Sequence, residues 1–314
     1  MRPLLEIRRL CRDFHAGGLR RGKILRAVDD VSLQLYAGEA LGLAGESACG
    51  KTTLARCALR LLEPTSGEVV FDGCDLGRLA SAELRRRRRE FQMVFQDAAA
   101  SLDPRMPVGR ILSEPLAFHG IGTRGWREAR VRVLMQAVGL EEALISRYPG
   151  QLSGGQQQRI VIARALALQP RLLVADEPVT ALDASVQAQI LNLLARIRRE
   201  HELTLLLISH SLPALHYLCS TIAVMCLGRL VEIAPAEYFF ARPLHPYSRL
   251  LCETAVRRKA GGDEAPADAR APARPETGCP FHPRCPAASA VCRSRRPELV
   301  PVGERIAVAC FLHS

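Results

Sequence analysis

The run Gly45-Glu46-Ser47-Ala48-Cys49-Gly50-Lys51-Thr52 constrains this chain more than any other feature. It fits G-x4-G-K-[ST] and lies between an apolar segment, Ala40 to Ala44, and a helix-like stretch, Thr52 to Leu62. Strand, glycine loop and helix in that order require a sheet whose strand end delivers the loop to a helix N-terminus. Backbone N–H groups of such a loop surround a phosphate, Lys51 neutralises it, and the Thr52 hydroxyl is placed for Mg²⁺. The helix start adds partial positive charge. Gly45 through Thr53 is therefore the first candidate site.

Around this loop the pattern reads as α/β. Residues 4–10 and 28–35 alternate apolar and polar positions as edge strands do, and Glu68 to Phe71 and Phe91 to Phe95 are further short strands. From Pro104 to Tyr148 the spacing turns helical, with Val108, Ile111, Leu112 and then Val131, Leu134, Met135 and Val138 three and four apart. Strands return at 172–175, 203–208 and 222–226, separated by helices at about 156–168 and 185–198. This alternation predicts a mainly parallel sheet covered on both faces, with an antiparallel β edge and an inserted helical subdomain over about 97–160. No repeat of 20 to 50 residues is visible, so one nucleotide-binding unit is expected, over 1–255.

Two more segments carry chemistry. Leu172 to Ala175 is an apolar run ending in Asp176-Glu177, two carboxylates at a strand end, the first suited to Mg²⁺ and the second to polarising a water. Leu152-Ser153-Gly154-Gly155-Gln156 stands 20 residues ahead of Asp176 at a helix start, where its hydroxyl and amides are placed to receive a phosphate oxygen.

In this order the motifs resemble the ATP-binding cassette (ABC) family over about residues 4–255: the phosphate loop, Gln96 after Val94-Phe95, Leu152 to Gln156, Asp176-Glu177, Ala181-Leu182-Asp183, and His210 after Leu205 to Ile208. The resemblance implies an ATP-hydrolysing subunit in which Gln96 touches Mg²⁺, Glu177 is the catalytic base, His210 contacts the γ-phosphate and Asp183 lines a dimer interface. It also implies that Ser153, Gly154, Gly155 and Gln156 serve ATP held on the phosphate loop of a second ATPase subunit, identical or homologous. An aromatic ahead of the loop stacks on adenine in this family. Phe14, at the end of the first strand and before the insertion Gly17 to Arg26, is the residue the resemblance selects, a core-edge aromatic being the alternative. Ala48-Cys49 departs from the Gly-Ser or Gly-Cys more usual there. The loop is expected to tolerate Ala48 at negative φ, and alkylation of Cys49 is expected to block ATP.

The stretch Phe95-Gln96-Asp97 to Ser101-Leu102-Asp103-Pro104-Arg105, the segment His245-Pro246-Tyr247-Ser248 and a cysteine-rich ending resemble the oligopeptide and dipeptide importer ATPases, a group that includes nickel-type relatives. That implies peptide cargo, integral membrane permease subunits as partners, an extracytoplasmic substrate-binding protein acting indirectly, and a place at the cytoplasmic face of the cell membrane. Apolar runs such as Leu203 to Ile208 are too short to span a bilayer, so attachment is expected through the partners.

Of eleven cysteines, seven are scattered and four crowd the end as C-x5-C-x6-C-x17-C: Cys279, Cys285, Cys292 and Cys310. Four thiolates suit a [4Fe-4S] cluster or Zn²⁺, and free thiols are the third reading. Residues 256–278, rich in Ala, Pro, Arg and acidic residues, read as a linker to this 279–314 segment. The net charge of +11 also suits nucleic acid. Yet only 99 residues separate Thr52 from Leu152, with no heptads between them, so a nucleic-acid-linked ABC ATPase is the alternative and no nucleic-acid partner is expected.

Overall fold

Leu5, Ile7 and Leu10 are all buried, although strict alternation would turn Leu10 outward. A register shift around Arg9, whose φ is +47°, restores it to the inner face. The computed structural model describes residues 2–16, 23–259, 275 and 277–313. It divides into two compact units, 1–77 with 207–314, and 78–206.

The first unit begins with β1 (Leu5–Ala16) and β2 (Lys23–Leu35), which pair antiparallel with Leu5 opposite Leu35 and Ile7 opposite Leu33. Both strands run further than the alternation at 4–10 and 28–35 indicates, and residues 17–22 of the insertion lie outside the described residues. β3 (Ala40–Ala44), buried throughout, leads through the glycine loop into α1 (Lys51–Ala58). The helix stops short of the expected Leu62. Arg60 takes φ +50°, and Leu61 and Leu62 N–H both donate to the Arg56 carbonyl, so the chain reverses and closes the helix end. β4 (Ser66–Phe71) and β5 (Cys74–Asp75) complete a four-stranded antiparallel sheet in the order β2-β1-β4-β5.

The second unit holds α2 (Ser81–Arg87), β6 (Phe91–Val94), α3 (Ala98–Ser101), α4 (Val108–Phe118), α5 (Arg124–Ala137), α6 (Gly154–Leu166), β7 (Leu172–Asp176), α7 (Ala184–Glu200) and β8 (Thr204–Ile208), in which the chain passes back to the first unit. The helical periodicity is realised in α4, α5 and α6, which pack on one another through Ile111, Leu112, Val131, Leu134, Met135 and Ile160, all buried. β6 and β7 run parallel with Val94 opposite Ala175, so their C-terminal ends finish level.

Back in the first unit come α8 (Leu212–Leu218), β9 (Thr221–Cys226), β10 (Arg229–Pro235), α9 (Ala236–Ala241), α10 (Pro246–Lys259), α11 (Ala290–Ser294), β11 (Val300–Gly303) and β12 (Ile306–Val308). β3 pairs parallel with β9, which continues antiparallel through β10 and β12 to β11. The C-terminal segment thus extends the sheet, with Glu232 opposite Val308. Ion pairs fasten it as well, among them Arg296 to Asp29 at 3.3 Å and Arg305 to Glu39 at 2.8 Å. The expected linker start at 256 is overturned in part, because α10 continues to Lys259; residues 260–274 and 276 lie outside the described residues. Among the described residues no helix is long and apolar enough to cross a membrane.

Candidate functional site

The phosphate loop leaves the C-terminal end of β3 and turns into α1 under tight steric constraint. Gly50 has φ +106°, and a Cβ there would stand 2.2 Å from the Ala27 carbonyl oxygen. Gly45 at φ +151° is equally confined, 2.3 Å from the Met225 carbonyl oxygen. Only glycine satisfies both demands. The negative φ on which tolerance of Ala48 depended is not met: φ is +62°, so it bears left-handed strain that glycine would avoid.

Lys51 is buried, and its ammonium folds back on the loop, donating to the Gly45 and Glu46 carbonyls at 2.8 Å each. A phosphate entering the loop exchanges these neutral acceptors for charged ones, a stronger partnership for the same donor. Cys49 is only 4% exposed, and burial pushes its thiol up despite the nearby Lys51 charge. Alkylation of Cys49, expected to block ATP, is therefore slow in the folded chain, since a buried, protonated sulfur is a poor nucleophile. Thr52 and Thr53 occupy the first turn of α1. In the same unit, Ser209 N–H donates to the Leu43 carbonyl, which brings the turn carrying exposed His210 to the loop end of β3.

In the second unit, β7 carries Asp176, 1% exposed, to its last position, and Glu177 follows at φ +49°. Holding a glutamate in that region costs about 1 kcal/mol or more. Thr180 helps to fix it, its hydroxyl donating to Glu177 Oε2 at 2.5 Å. Because β6 and β7 end level, exposed Gln96 emerges at the same end of the strands as the two carboxylates.

Ser153, Gly154, Gly155 and Gln156 open α6 through a capping box. Ser153 Oγ accepts from Gln156 N–H at 3.3 Å, and Gln156 Oε1 accepts from Ser153 N–H at 2.9 Å. Ser153 and Gly154 are exposed. Behind them, a Cβ on Gly155 would meet Val186 Cγ1 at 2.6 Å. Asp183, also exposed, caps α7 by accepting from Val186 N–H at 2.9 Å. Phe14 lies in the interior of β1, not at its end, half-buried beneath the Arg12 guanidinium at 4.7 Å.

These parts agree with what the chain is similar to. The ABC transporter family model matches residues 28–180, and the model for the oligopeptide/dipeptide transporter C-terminal region matches residues 231–292. A Sinorhizobium fredii relative named "Probable peptide ABC transporter ATP-binding protein" is 46% identical over 93% of this chain and 84% of its own length. The oligopeptide transport ATP-binding protein AppF of Bacillus subtilis is 42% identical over 99% of this chain and 98% of its own.

The chain belongs to the ABC transporter ATPase family.

Among solved structures, the dimeric ATP-binding cassette MJ0796, in a post-hydrolysis state bound to ADP and Pi, matches with a TM-score of 0.67 and 29% identity. The match covers 74% of this ABC ATPase and 98% of that chain.

Sequence reasoning missed how the C-terminal segment of this ABC ATPase meets the phosphate loop. Arg284 forms a two-pronged ion pair with Glu46, 2.8 Å on each side, and the buried Tyr247 hydroxyl accepts from Glu46 N–H at 2.9 Å. Phe281 packs on Tyr247 with ring centroids 5.2 Å apart. Tyr247 N–H donates to His245 Nδ1 at 3.0 Å, and burial pulls this histidine down to about 4. The segment His245 to Ser248 was legible as a resemblance, but its link across some 200 residues to Glu46 has no local signal in the sequence. Thr180 was missed for the opposite reason: a threonine three residues past a carboxylate is too ordinary to notice.

Cys279, Cys285, Cys292 and Cys310 line one cavity with His245 and His282. Burial pushes the Cys279 thiol up to about 11, and the neighbouring cysteines add to the rise. No group of three or more His, Cys, Asp or Glu side chains among the described residues is arranged to hold a metal ion, so the thiols share a cavity without forming a ready ligand cage. For Mg²⁺ the donor chemistry is right in each unit taken by itself: Thr52 in the first and Asp176 in the second offer hard oxygens, the class this ion selects.

Proposed function

We propose that this ABC ATPase powers the import of dipeptides or oligopeptides, bound at the cytoplasmic face of the membrane to integral permease subunits that receive cargo from an extracytoplasmic binding protein. The observation that carries the cargo class is the match over 231–292 to the oligopeptide/dipeptide transporter C-terminal region, supported by peptide-transport relatives of 42–46% identity across nearly the whole chain.

In this reading the loop Gly45 to Thr53 binds the ATP phosphates, with Lys51 moving from its own loop carbonyls to the nucleotide. Thr52, Gln96 and Asp176 hold Mg²⁺, which supplies charge neutralisation at the phosphates. Glu177 takes the proton of the attacking water, His210 steadies the γ-phosphate, and Phe14 faces adenine. The start of α6, Ser153 to Gln156, with Ser153 and Gly154 exposed, supports service to a nucleotide on a second ATPase subunit, with Asp183 at that interface. The domain reading is an ATP-binding domain over 1–255, a helical signature subdomain over about 97–160 and a C-terminal segment over 279–314, with the linker between them starting after α10 and not at 256. For the four tail thiols, the finer reading of a [4Fe-4S] cluster has only their common cavity in its favour and would require the thiols to regroup, because they form no ready ligand cage as they stand. Iron and acid-labile sulfide in anaerobically purified protein check it, and a folded tail containing neither ends it.

The test of function is purification from membranes. Integral permease subunits are expected to come with the chain, and ATP hydrolysis is expected to rise when peptide-loaded binding protein is added. Hydrolysis that responds to no peptide while responding to another solute class would overturn the cargo reading.

A further inference from the structure

Among the described residues, ion pairs join the segment after residue 277 to the rest of the first unit at places that differ in what they reach. Arg296 meets Asp29 in β2, Arg305 meets Glu39 just before β3, and Arg284 alone reaches the phosphate loop. Its target, Glu46, is the second residue of that loop and brings a negative charge beside a site built for anions, where like charges repel. Arg284 counters this with two parallel 2.8 Å bonds, a geometry that neutralises the carboxylate and also fixes its direction. The backbone of the same residue is held independently, its N–H by the Tyr247 hydroxyl. Phe281 ties the two holds together, lying 5.2 Å from the Tyr247 ring and 5.7 Å below the Arg284 guanidinium.

We propose that Arg284 is a positioning residue for the phosphate loop, neutralising and orienting Glu46 so that the loop accepts ATP, and that the C-terminal segment thereby sets nucleotide affinity. The inference rests on the ATP-site reading above. With Arg284 removed, Glu46 keeps its charge but loses its direction, and it repels the incoming phosphates. The loss falls on binding, because the ion pair of Arg284 with the loop is made at Glu46.

Equilibrium binding of ATP to the full chain, with KM and kcat for hydrolysis by the assembled transporter, tests this. Arg284→Ala is expected to raise Kd and KM for ATP about fivefold with kcat changed by less than about twofold. Adding Glu46→Gln to Arg284→Ala is expected to recover most of the lost affinity, because the orphaned charge is then gone. Arg305→Ala, which loosens the same segment at Glu39, is expected to leave Kd within about twofold of wild type. An unchanged Kd in Arg284→Ala overturns the proposal, as does a double variant no better than the single one. An equal loss in Arg305→Ala would reduce Arg284 to general docking of the tail. A wild-type chain that binds no ATP would instead refute the underlying site reading, so the two failures are distinguishable.

Discussion

Two glycine-bearing helix starts, both assigned to phosphate in the proposed function, are built in opposite ways. The start of α1 is enclosed: Gly45 and Gly50 lie against the carbonyls of Met225 and Ala27, Lys51 is buried, and Glu46 is held by Tyr247 and Arg284 from the far end of the chain. The start of α6 is open, with Ser153 and Gly154 exposed and their cap supplied by Gln156, three residues on. An enclosed start is preorganised by its own fold and receives ligand into a fixed loop. An open, self-capped start needs nothing from the rest of the chain and is presented outward, as a surface offered to another molecule must be.

The largest expected effect separates chemistry from both starts. Glu177→Gln keeps the Thr180 contact and the shape of the strand end but loses the proton acceptor, so kcat is expected to fall at least about 100-fold while ATP affinity is retained. Steady-state hydrolysis and nucleotide binding on one preparation check it, and turnover near wild type would take Glu177 out of its role. Next comes a pair of substitutions that tests the contrast itself. Gly50→Ala forces a Cβ into the Ala27 carbonyl at a φ alanine resists, and is expected to cost about 3 kcal/mol of stability or to prevent folding. Gly155→Ala has the Val186 side chain as its nearest contact, not backbone, and gains helix propensity, so its melting temperature is expected to fall by a few degrees while hydrolysis falls. Equal destabilisation by the two would erase the difference between the starts.

The enclosed start should also respond to acid through its remote supports, as the open one should not. His245, whose Nδ1 accepts from Tyr247 N–H, titrates near 4 in the folded chain and near 6.5 when unfolded. Between those values the unfolded chain binds the extra proton, so the stabilisation is complete above about pH 6.5 and is lost as pH falls toward 4. A decline of up to about 3 kcal/mol is expected over that range. His245→Asn is expected to flatten it, as denaturant melts at several pH values would reveal. A slope unchanged by the substitution would assign the acid response elsewhere.

The same contrast explains what could be read from the sequence. Signature, strand-end carboxylates and phosphate loop are contiguous motifs whose spacing follows from local geometry, so the chain displays them directly. β11 and β12 escaped notice because each is short and both follow a stretch with no apolar periodicity, so only pairing, such as Val308 with Glu232 of β10, makes them strands. The Arg284–Glu46 contact is invisible for a related reason: in a chain with 43 basic residues, nothing about one arginine marks its partner 238 positions away. Backbone sign at Ala48 escaped too, since a side chain that tolerates either hand gives no warning of which the loop imposes.

That residue supplies the smallest effect. Alanine at φ +62° carries left-handed strain of about 1–2 kcal/mol, whereas glycine takes the same conformation without it but loses more chain entropy on folding, about 0.5–1 kcal/mol. Ala48→Gly is therefore expected to stabilise the chain by about 0.5 kcal/mol, seen as a slightly higher denaturant midpoint. Because Tyr247 and Arg284 hold the loop from Glu46, two residues away, the added freedom should leave ATP affinity within about twofold of wild type. A large loss of affinity from this one substitution would mean that the loop's shape depends on Ala48 itself, and that the enclosure credited to the C-terminal segment is weaker than its contacts imply.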